Sequence, residues 1–318
     1  MAAREPQLIV ATGQKGIGKT YLTDKFIMGY LMGVIDPFNK VLSDANISLF
    51  LSRNPTRKKF PKGRSVLIFD ANLEDYWTKY DTLAYYPDEP DLFKRTEQIK
   101  KFGEYSSKGY ILCRRIVPIK QDGSPMTKDQ MRQAVMDIIE SARNCLLLLD
   151  DTNSYCRQVD YNESPLAQKI TTNRHSNLDI LLHIQGLRMS PMMYQNVGYI
   201  RMHKQSDAVD RYKAVIPSFD VAKIAQIITD KRYEKGRIRT FLYINLSGRK
   251  IYGVGEFKVT KDEFRLAARE FLIGNRKFLK PLLDEVISAS GKRLSKSEVQ
   301  QQAIDLWIQR NARIAFEE

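Results

Sequence analysis

The chain has 318 residues, of which 43% are hydrophobic, and a formal charge of +14; this size allows one large α/β domain with an appendage, and the basic balance favours a polyanionic partner such as nucleic acid. No run approaches the roughly 20 apolar residues that a membrane-spanning helix needs, and the residues after Met1 lack the apolar stretch of a secretory leader, so the expected location is a cytoplasm. Cys113, Cys145 and Cys156, three in all, lack the paired spacing of a disulfide framework, and the histidines lack ligand-like spacing with them, so no structural zinc is expected.

In chain order, residues 7–12 form a short apolar run ending at glycine, which reads as a buried strand. Residues 19–32 carry Leu22, Phe26, Ile27 and Tyr30 at helical spacing. Residues 53–64 hold six basic side chains and no acidic one, with two prolines and a glycine, the composition of a loop. A second strand is expected over 65–70, ending in Asp70. A third covers 110–119, closed by Pro118 and the turn at 121–125. A helix over 128–143 puts Met131, Val135, Ile138 and Ile139 on one face. Residues 145–150 are the most apolar strand and belong at the centre of a parallel sheet. A helix over 164–173 leads to a strand at 179–185, and 197–203 supplies a sixth. This alternation predicts a doubly wound α/β domain. Beyond about residue 230 the pattern changes to a hairpin at 239–255 around Ser247-Gly248-Arg249, then helices over 261–273, 281–289 and 295–315. The expected division is a core over 1–230, with a basic insertion near 50–65, and a C-terminal region over 231–318. No internal repeat is visible.

The segment Gly13-Gln-Lys-Gly-Ile-Gly18-Lys19-Thr20 fits the pattern G-x-x-x-x-G-K-[ST], and it sits where a strand turns into a helix. Phosphates need closely spaced N–H donors, and Gly13, Gly16 and Gly18 let the backbone curl to provide them. The helix that follows adds its positive end. Lys19 is expected to reach the β- and γ-phosphates of ATP and Thr20 to ligate Mg²⁺; Lys15 either joins the phosphate site or stays solvated. Hydrolysis further needs an acid for the metal and a base for water. Asp150, at the tip of the apolar strand, is expected to hold a metal-bound water, and Asp151 to orient the attacking water. Two neighbouring strand tips would thus serve one ion. Gln185, ending a strand placed beside the P-loop strand, is a candidate γ-phosphate sensor. The plainer alternatives are a glycine-rich turn with an incidental lysine, carboxylates that only cap a turn, and a turn glutamine.

Four segments, 13–20, 66–76, 146–151 and 172–185, together resemble the FtsK–HerA superfamily of DNA-pumping ATPases, and within it the virus-type genome-packaging ATPases. Segment 66–76 is similar to the family's strand plus D-x-x-x-E-Y, with one extra residue before the tyrosine. Segment 172–185 is similar to its "R-H … Q" segment. The resemblance covers about residues 7–204, and Asp151 stands where most hydrolytic relatives carry glutamate. It implies a RecA-like P-loop core with a mostly parallel sheet, and a ring, usually a hexamer, threading double-stranded DNA. It also implies an arginine donated by the neighbouring subunit, for which Arg174 is the candidate and Arg143 and Arg157 the rivals. A viral chain of this kind would act in the host cytoplasm, with a capsid or portal vertex as a further partner.

The basic residues of 53–64, and Lys231, Arg232, Lys235, Arg237 and Arg239, are candidate contacts to a DNA backbone, or else solvated faces. Val299, Ala303, Trp307 and Ile314 would either pack the last helix on the core or dock it on a partner. Two other functions fit parts of the pattern: a motor extruding single-stranded phage DNA, similar to Zot-like assembly proteins, and a P-loop kinase or switch. Ring assembly and DNA response separate them.

Overall fold

The computed structural model describes residues 7–33, 56–57, 63–156, 168–170, 176–289 and 294–316, with backbone only for 56–57. Strand β1 (Leu8–Thr12) leads into helix α1 (Lys19–Met32), and the two-residue β2 (Thr56–Arg57) precedes β3 (Ser65–Phe69). Then come α2 (Leu92–Ser107), β4 (Tyr110–Ile111), β5 (Cys113–Ile116), α3 (Lys128–Ser141), β6 (Cys145–Leu149) and β7 (Asp179–Ile184). The chain continues through α4 (Pro191–Asn196), β8 (Tyr199–Met202), α5 (Phe219–Glu234), β9 (Leu242–Asn245), β10 (Lys250–Tyr252), α6 (Lys261–Gly274), α7 (Lys280–Ala289) and α8 (Lys296–Asn311). Of the expected helix over 164–173, only 168–170 lie among the described residues, and they are helical.

Eight strands form one sheet in the order β10-β9-β8-β1-β7-β6-β3-β5. The six from β8 to β5 run parallel, and β9 and β10 add antiparallel at one edge. The apolar runs are explained by the two faces they serve. Along β6, Leu147 and Leu149 enter one hydrophobic cluster while Leu146 and Leu148 enter the other, and β1, β3 and β7 alternate likewise. Helix α1, Trp77 and Tyr80 cover the second face. Helices α3, α5, α6 and α8 contribute to the first.

The strand expected over 110–119 is broken at Leu112. The Ser65 hydroxyl donates to the Tyr110 carbonyl at 3.2 Å and accepts from the Leu112 amide at 3.1 Å. This frees β4 to pair with β2 instead of the main sheet. The hairpin turns where expected, with Asn245 accepting from the Gly248 amide at 2.7 Å. It extends the core sheet through β8, and the expected division near residue 230 falls inside α5. The apolar face of α8 is buried on the same core cluster, with Val299, Ala303, Trp307 and Ile314 all inside it.

Buried Arg232 of α5 ties α6 to the core. It donates to both carboxylate oxygens of Glu263, at 2.8 and 2.7 Å, and to the Phe257 and Lys258 carbonyls. Glu263 also completes the capping box of α6 with Thr260. The hydrogen bonds from Arg232 and burial, which acts the other way, leave the Glu263 carboxyl at about 2.

Candidate nucleotide site

The loop between β1 and α1 is shaped by its glycines. Gly18 has φ +86°, a left-handed conformation that L side chains rarely adopt. A Cβ on Gly13 would lie 2.7 Å from the Cβ of His203, so the strand tip can pass that close only without a side chain. The first turn of α1 has no side-chain cap and no acidic residue, leaving its N–H donors and positive dipole end available to an anion. Lys19 bends back across the loop, its Nζ donating to the carbonyls of Gly13 at 2.7 Å and Gln14 at 3.0 Å. Burial, opposed by Asp151 and reinforced by Arg201, brings this amine down to about 8.

The aspartate pair arrives from β6, and the strand between it and the P-loop strand is β7. The expected adjacency of the two strand tips is therefore corrected: they are one strand apart, with the candidate sensor strand in the gap. All three tips still meet. One cavity of about 420 Å³ is lined by Lys15, Gly16, Gly18, Lys19, Thr20, Asp150, Asp151 and Gln185, together with His183, Asn72, Glu74, Tyr21, Tyr76, Ile238 and Arg239. Its size suits a nucleotide.

Asp150 is buried and held by three donors. His183 Nδ1 lies 2.6 Å and the Asp151 amide 3.0 Å from Oδ1, and the Trp77 indole N–H lies 2.6 Å from Oδ2. Burial pushes this carboxyl up, but the His183 ring and these donors hold it below its usual range. A carboxylate offers about four lone-pair sites, so these three donors leave about one open on a residue that lines the cavity. Burial chiefly, with Arg201 and Lys19 adding to it and Asp150 opposing, holds the His183 ring below its usual range. Its Nε2 lies 2.7 Å from Thr23 Oγ1 of α1, which accepts in turn from Arg201. Arg201, fully buried on β8, also reaches the Lys19 carbonyl at 3.4 Å. A polar chain thus runs behind the cavity from β8 through α1 and β7 to Asp150.

Asp151 adopts a left-handed backbone, φ +37°. Its carboxylate accepts from Asn72 Nδ2 at 2.7 Å and from Gln185 Nε2 at 3.3 Å, which leaves lone pairs for a water. Asn72 and Glu74 come from the loop after β3. There Asp70 accepts from the Glu74 amide at 2.9 Å and pairs with Arg115 at 3.3 Å. Burial, then the nearby Asp150, Asp70 and Asp151 charges, raise the Glu74 carboxyl.

Among the described residues no cluster of three or more His, Cys, Asp or Glu side chains could cage a metal. The donor set in the cavity, one threonine hydroxyl and one carboxylate with a spare lone pair, fits Mg²⁺, which keeps waters and takes substrate phosphates as ligands.

The sequence-derived residues Lys15, Gly16, Gly18, Lys19, Thr20, Asp150, Asp151 and Gln185 therefore line one cavity, while Gly13 packs at the strand tip against His203. Arg174 and its rival Arg157 lie outside the described residues. Arg143 lies far from this cavity, its Nη1 donating to its neighbour's carbonyl at 2.8 Å and its chain beside α2. Of the basic 53–64 segment, Arg64 is engaged by Asp179 at 2.8 Å, and the rest, beyond Gly63 and the β2 backbone, lies outside the described residues. In the second basic run Lys231 pairs with Glu270 and Arg232 with Glu263, while Arg239 lines the nucleotide cavity. His183, Trp77, Asn72, Glu74 and Tyr21 had no assigned role in the sequence reading, and Arg239, expected as a DNA contact or a solvated residue, lines the nucleotide cavity instead. The available signal for His183 was a polar residue within the apolar run at 180–184.

Among the described residues no helix is long and apolar enough to cross a membrane. Neither a protein-family model nor a curated protein sequence matches the chain. Among solved structures it is similar to the genome packaging NTPase B204 from Sulfolobus turreted icosahedral virus 2 in complex with ATP-gammaS. The identity is 16%, over 77% of this chain and 95% of that one, with a TM-score of 0.44. It is also similar to B204, the DNA-packaging ATPase from Sulfolobus turreted icosahedral virus, with 14% identity, coverage of 78% and 97%, and a TM-score of 0.43. The N-terminal domain of zonular occludens toxin from Neisseria meningitidis gives 14% identity, coverage of 62% and 76%, and a TM-score of 0.30. These are likenesses of fold, and the strand order and motif placement stand without them: the chain has a RecA-like P-loop core, with its P-loop strand between β7 and β8 and its aspartate strand one place further out.

Proposed function

We propose that the chain hydrolyses ATP to drive double-stranded DNA through a ring of its own copies, a hexamer in the family its four segments resemble, during packaging of a viral genome. The observation that carries this reading is the meeting of Lys19, Thr20, Asp150, Asp151 and Gln185 on one cavity. In that cavity Gly16, Gly18, Lys15 and Lys19 bind the phosphates, with Gly13 opening the loop at the strand tip, and Thr20 and Asp150 hold the magnesium site. Bound Mg²⁺ supplies charge neutralisation on the β- and γ-phosphates. Asp151 orients the attacking water, and Gln185, already bonded to Asp151, reports the γ-phosphate to it. Arg174, on the resemblance of its segment, is the arginine offered to a neighbour's site. The formal charge of +14 supports a polyanionic track. The host cytoplasm is the place of action, and a capsid or portal vertex is the docking partner.

The test is ATP turnover with and without duplex DNA on wild type, Lys19→Ala and Asp151→Asn. Duplex DNA raises turnover, Lys19→Ala abolishes it, and Asp151→Asn lowers kcat by about 100-fold or more. Turnover indifferent to DNA removes the motor, and normal hydrolysis by Asp151→Asn removes that residue as the base. A stronger response to single strands than to duplex transfers the reading to a single-strand extrusion motor.

A further inference from the structure

The cavity has a second end that phosphate chemistry does not use. Tyr21 follows the P-loop threonine on α1. The Arg239 guanidinium lies over its ring, 4.3 Å from the centroid. Tyr76 meets the same ring edge-on, with centroids 6.4 Å apart. The stem of Arg239 runs along Gly18, where an added Cβ would sit 3.2 Å from its Cγ. Beside it Ile238 is 54% exposed and Tyr76 43% exposed, both lining the cavity. Tyr21 is braced from behind by the Leu22, Phe241 and Phe257 cluster. Among the described residues Arg239 forms no ion pair with a carboxylate. Its charge is spent on an aromatic face at the cavity wall.

We propose that the Arg239–Tyr21 pair, flanked by Ile238 and Tyr76, is the nucleobase subsite of this cavity. The proposal rests on the nucleotide reading of the P-loop and goes beyond it by naming what holds the other end of the ligand. Aromatic rings and planar guanidinium groups offer π-faces and apolar edges, which match the flat face of a purine and have nothing to offer a bare phosphate chain. Such a surface recognises the presence of a base by its face. The placement also gives the basic run at 231–239 a different role from DNA contact: Lys231 and Arg232 brace α6, and Arg239 closes the nucleotide cavity.

The test is calorimetric titration of the full chain, in the presence of Mg²⁺, with ATP and with inorganic tripolyphosphate. Wild type binds ATP more tightly. Arg239→Ala, at an exposed position, weakens ATP binding by about ten-fold, the scale of one base stack, and leaves tripolyphosphate within two-fold. Arg239→Lys retains the charge but not the planar face, and it loses ATP affinity as Arg239→Ala does. Lys19→Ala weakens both ligands. Equal wild-type affinity for ATP and tripolyphosphate overturns the subsite while leaving the P-loop reading intact. So does an Arg239→Ala loss shared by both ligands, or full rescue by Arg239→Lys, either of which makes Arg239 a phosphate contact. Failure of wild type to bind either ligand overturns the P-loop reading and the subsite with it.

Discussion

Replacing Trp77 with phenylalanine tests whether the buried metal-site aspartate is held by its neighbours as its geometry implies. Trp77 is fully buried and its indole N–H lies 2.6 Å from Asp150 Oδ2. Phenylalanine keeps an aromatic ring but has no donor. A hydrogen bond to a charged, buried acceptor contributes about 1.5–3 kcal/mol, and the smaller ring leaves a void worth about 1 kcal/mol more. The expected loss of stability is therefore about 3 kcal/mol, read from the urea midpoint with an unchanged slope. The void is independent of residue 150, so a double-mutant cycle with Asp150→Asn separates the two contributions. Asp150→Asn alone removes a buried charge, and in that background the indole meets only a neutral acceptor. The cycle should return a coupling of about 1–2 kcal/mol. A coupling below about 0.5 kcal/mol, within the scatter of independent sites, refutes the idea that Trp77 secures this carboxylate.

Lys19 predicts a pH dependence of nucleotide binding. Its amine titrates at about 8 in the free protein, so ATP affinity is flat below that pH and falls as pH rises through it, by about ten-fold per unit; titrations between pH 7 and 9.5 read this, and a flat profile refutes it. The Arg232–Glu263 pair predicts a stability effect. Arg232→Met strands an acid that is only 26% exposed and leaves two carbonyls unpaired, costing about 3 kcal/mol at neutral pH. Because the Glu263 carboxyl is depressed from 4.5 to about 2, its ionic contribution is complete above pH 4.5 and is lost as pH falls toward 2. Discounted for its partial exposure, that contribution is about 1–2 kcal/mol. The gap between wild type and Arg232→Met in urea should narrow by that amount across the window; a gap independent of pH refutes the ionic account.

What could be read from the residues, and what could not, divides along a physical line. The P-loop, the Asp150 strand and the Gln185 strand were legible because each is a buried run ending in a polar or glycine signal, and all three lie at the centre of the sheet. Their lateral order was not legible, since apolar runs carry no information about which strand lies between which. Helix α2 escaped because only Thr96, Ile99, Phe102 and Gly103 are buried on a face otherwise crowded with charge. Helix α5 escaped for the opposite reason. It is buried nearly all round, Asp220, Gln226, Thr229 and Arg232 included, so its apolar residues show no single stripe.

His183, Trp77 and Arg201 act on Asp150 or on its supports through hydrogen bonds between positions far apart in sequence, from Trp77 to Asp150 and from Thr23 to His183. Periodicity assigns a buried position to packing, and only the satisfied polar groups at that position reveal another task. A histidine within β7 and an arginine within β8, both on fully covered strands, are costly unless partnered. Asp150 and Thr23 partner that histidine, and Thr23 and the Lys19 carbonyl meet one end of the arginine. Placing those two polar residues behind the P-loop fixes the metal-site carboxylate relative to the helix that carries Lys19 and Thr20, so the phosphate and metal contacts are set by one connected network.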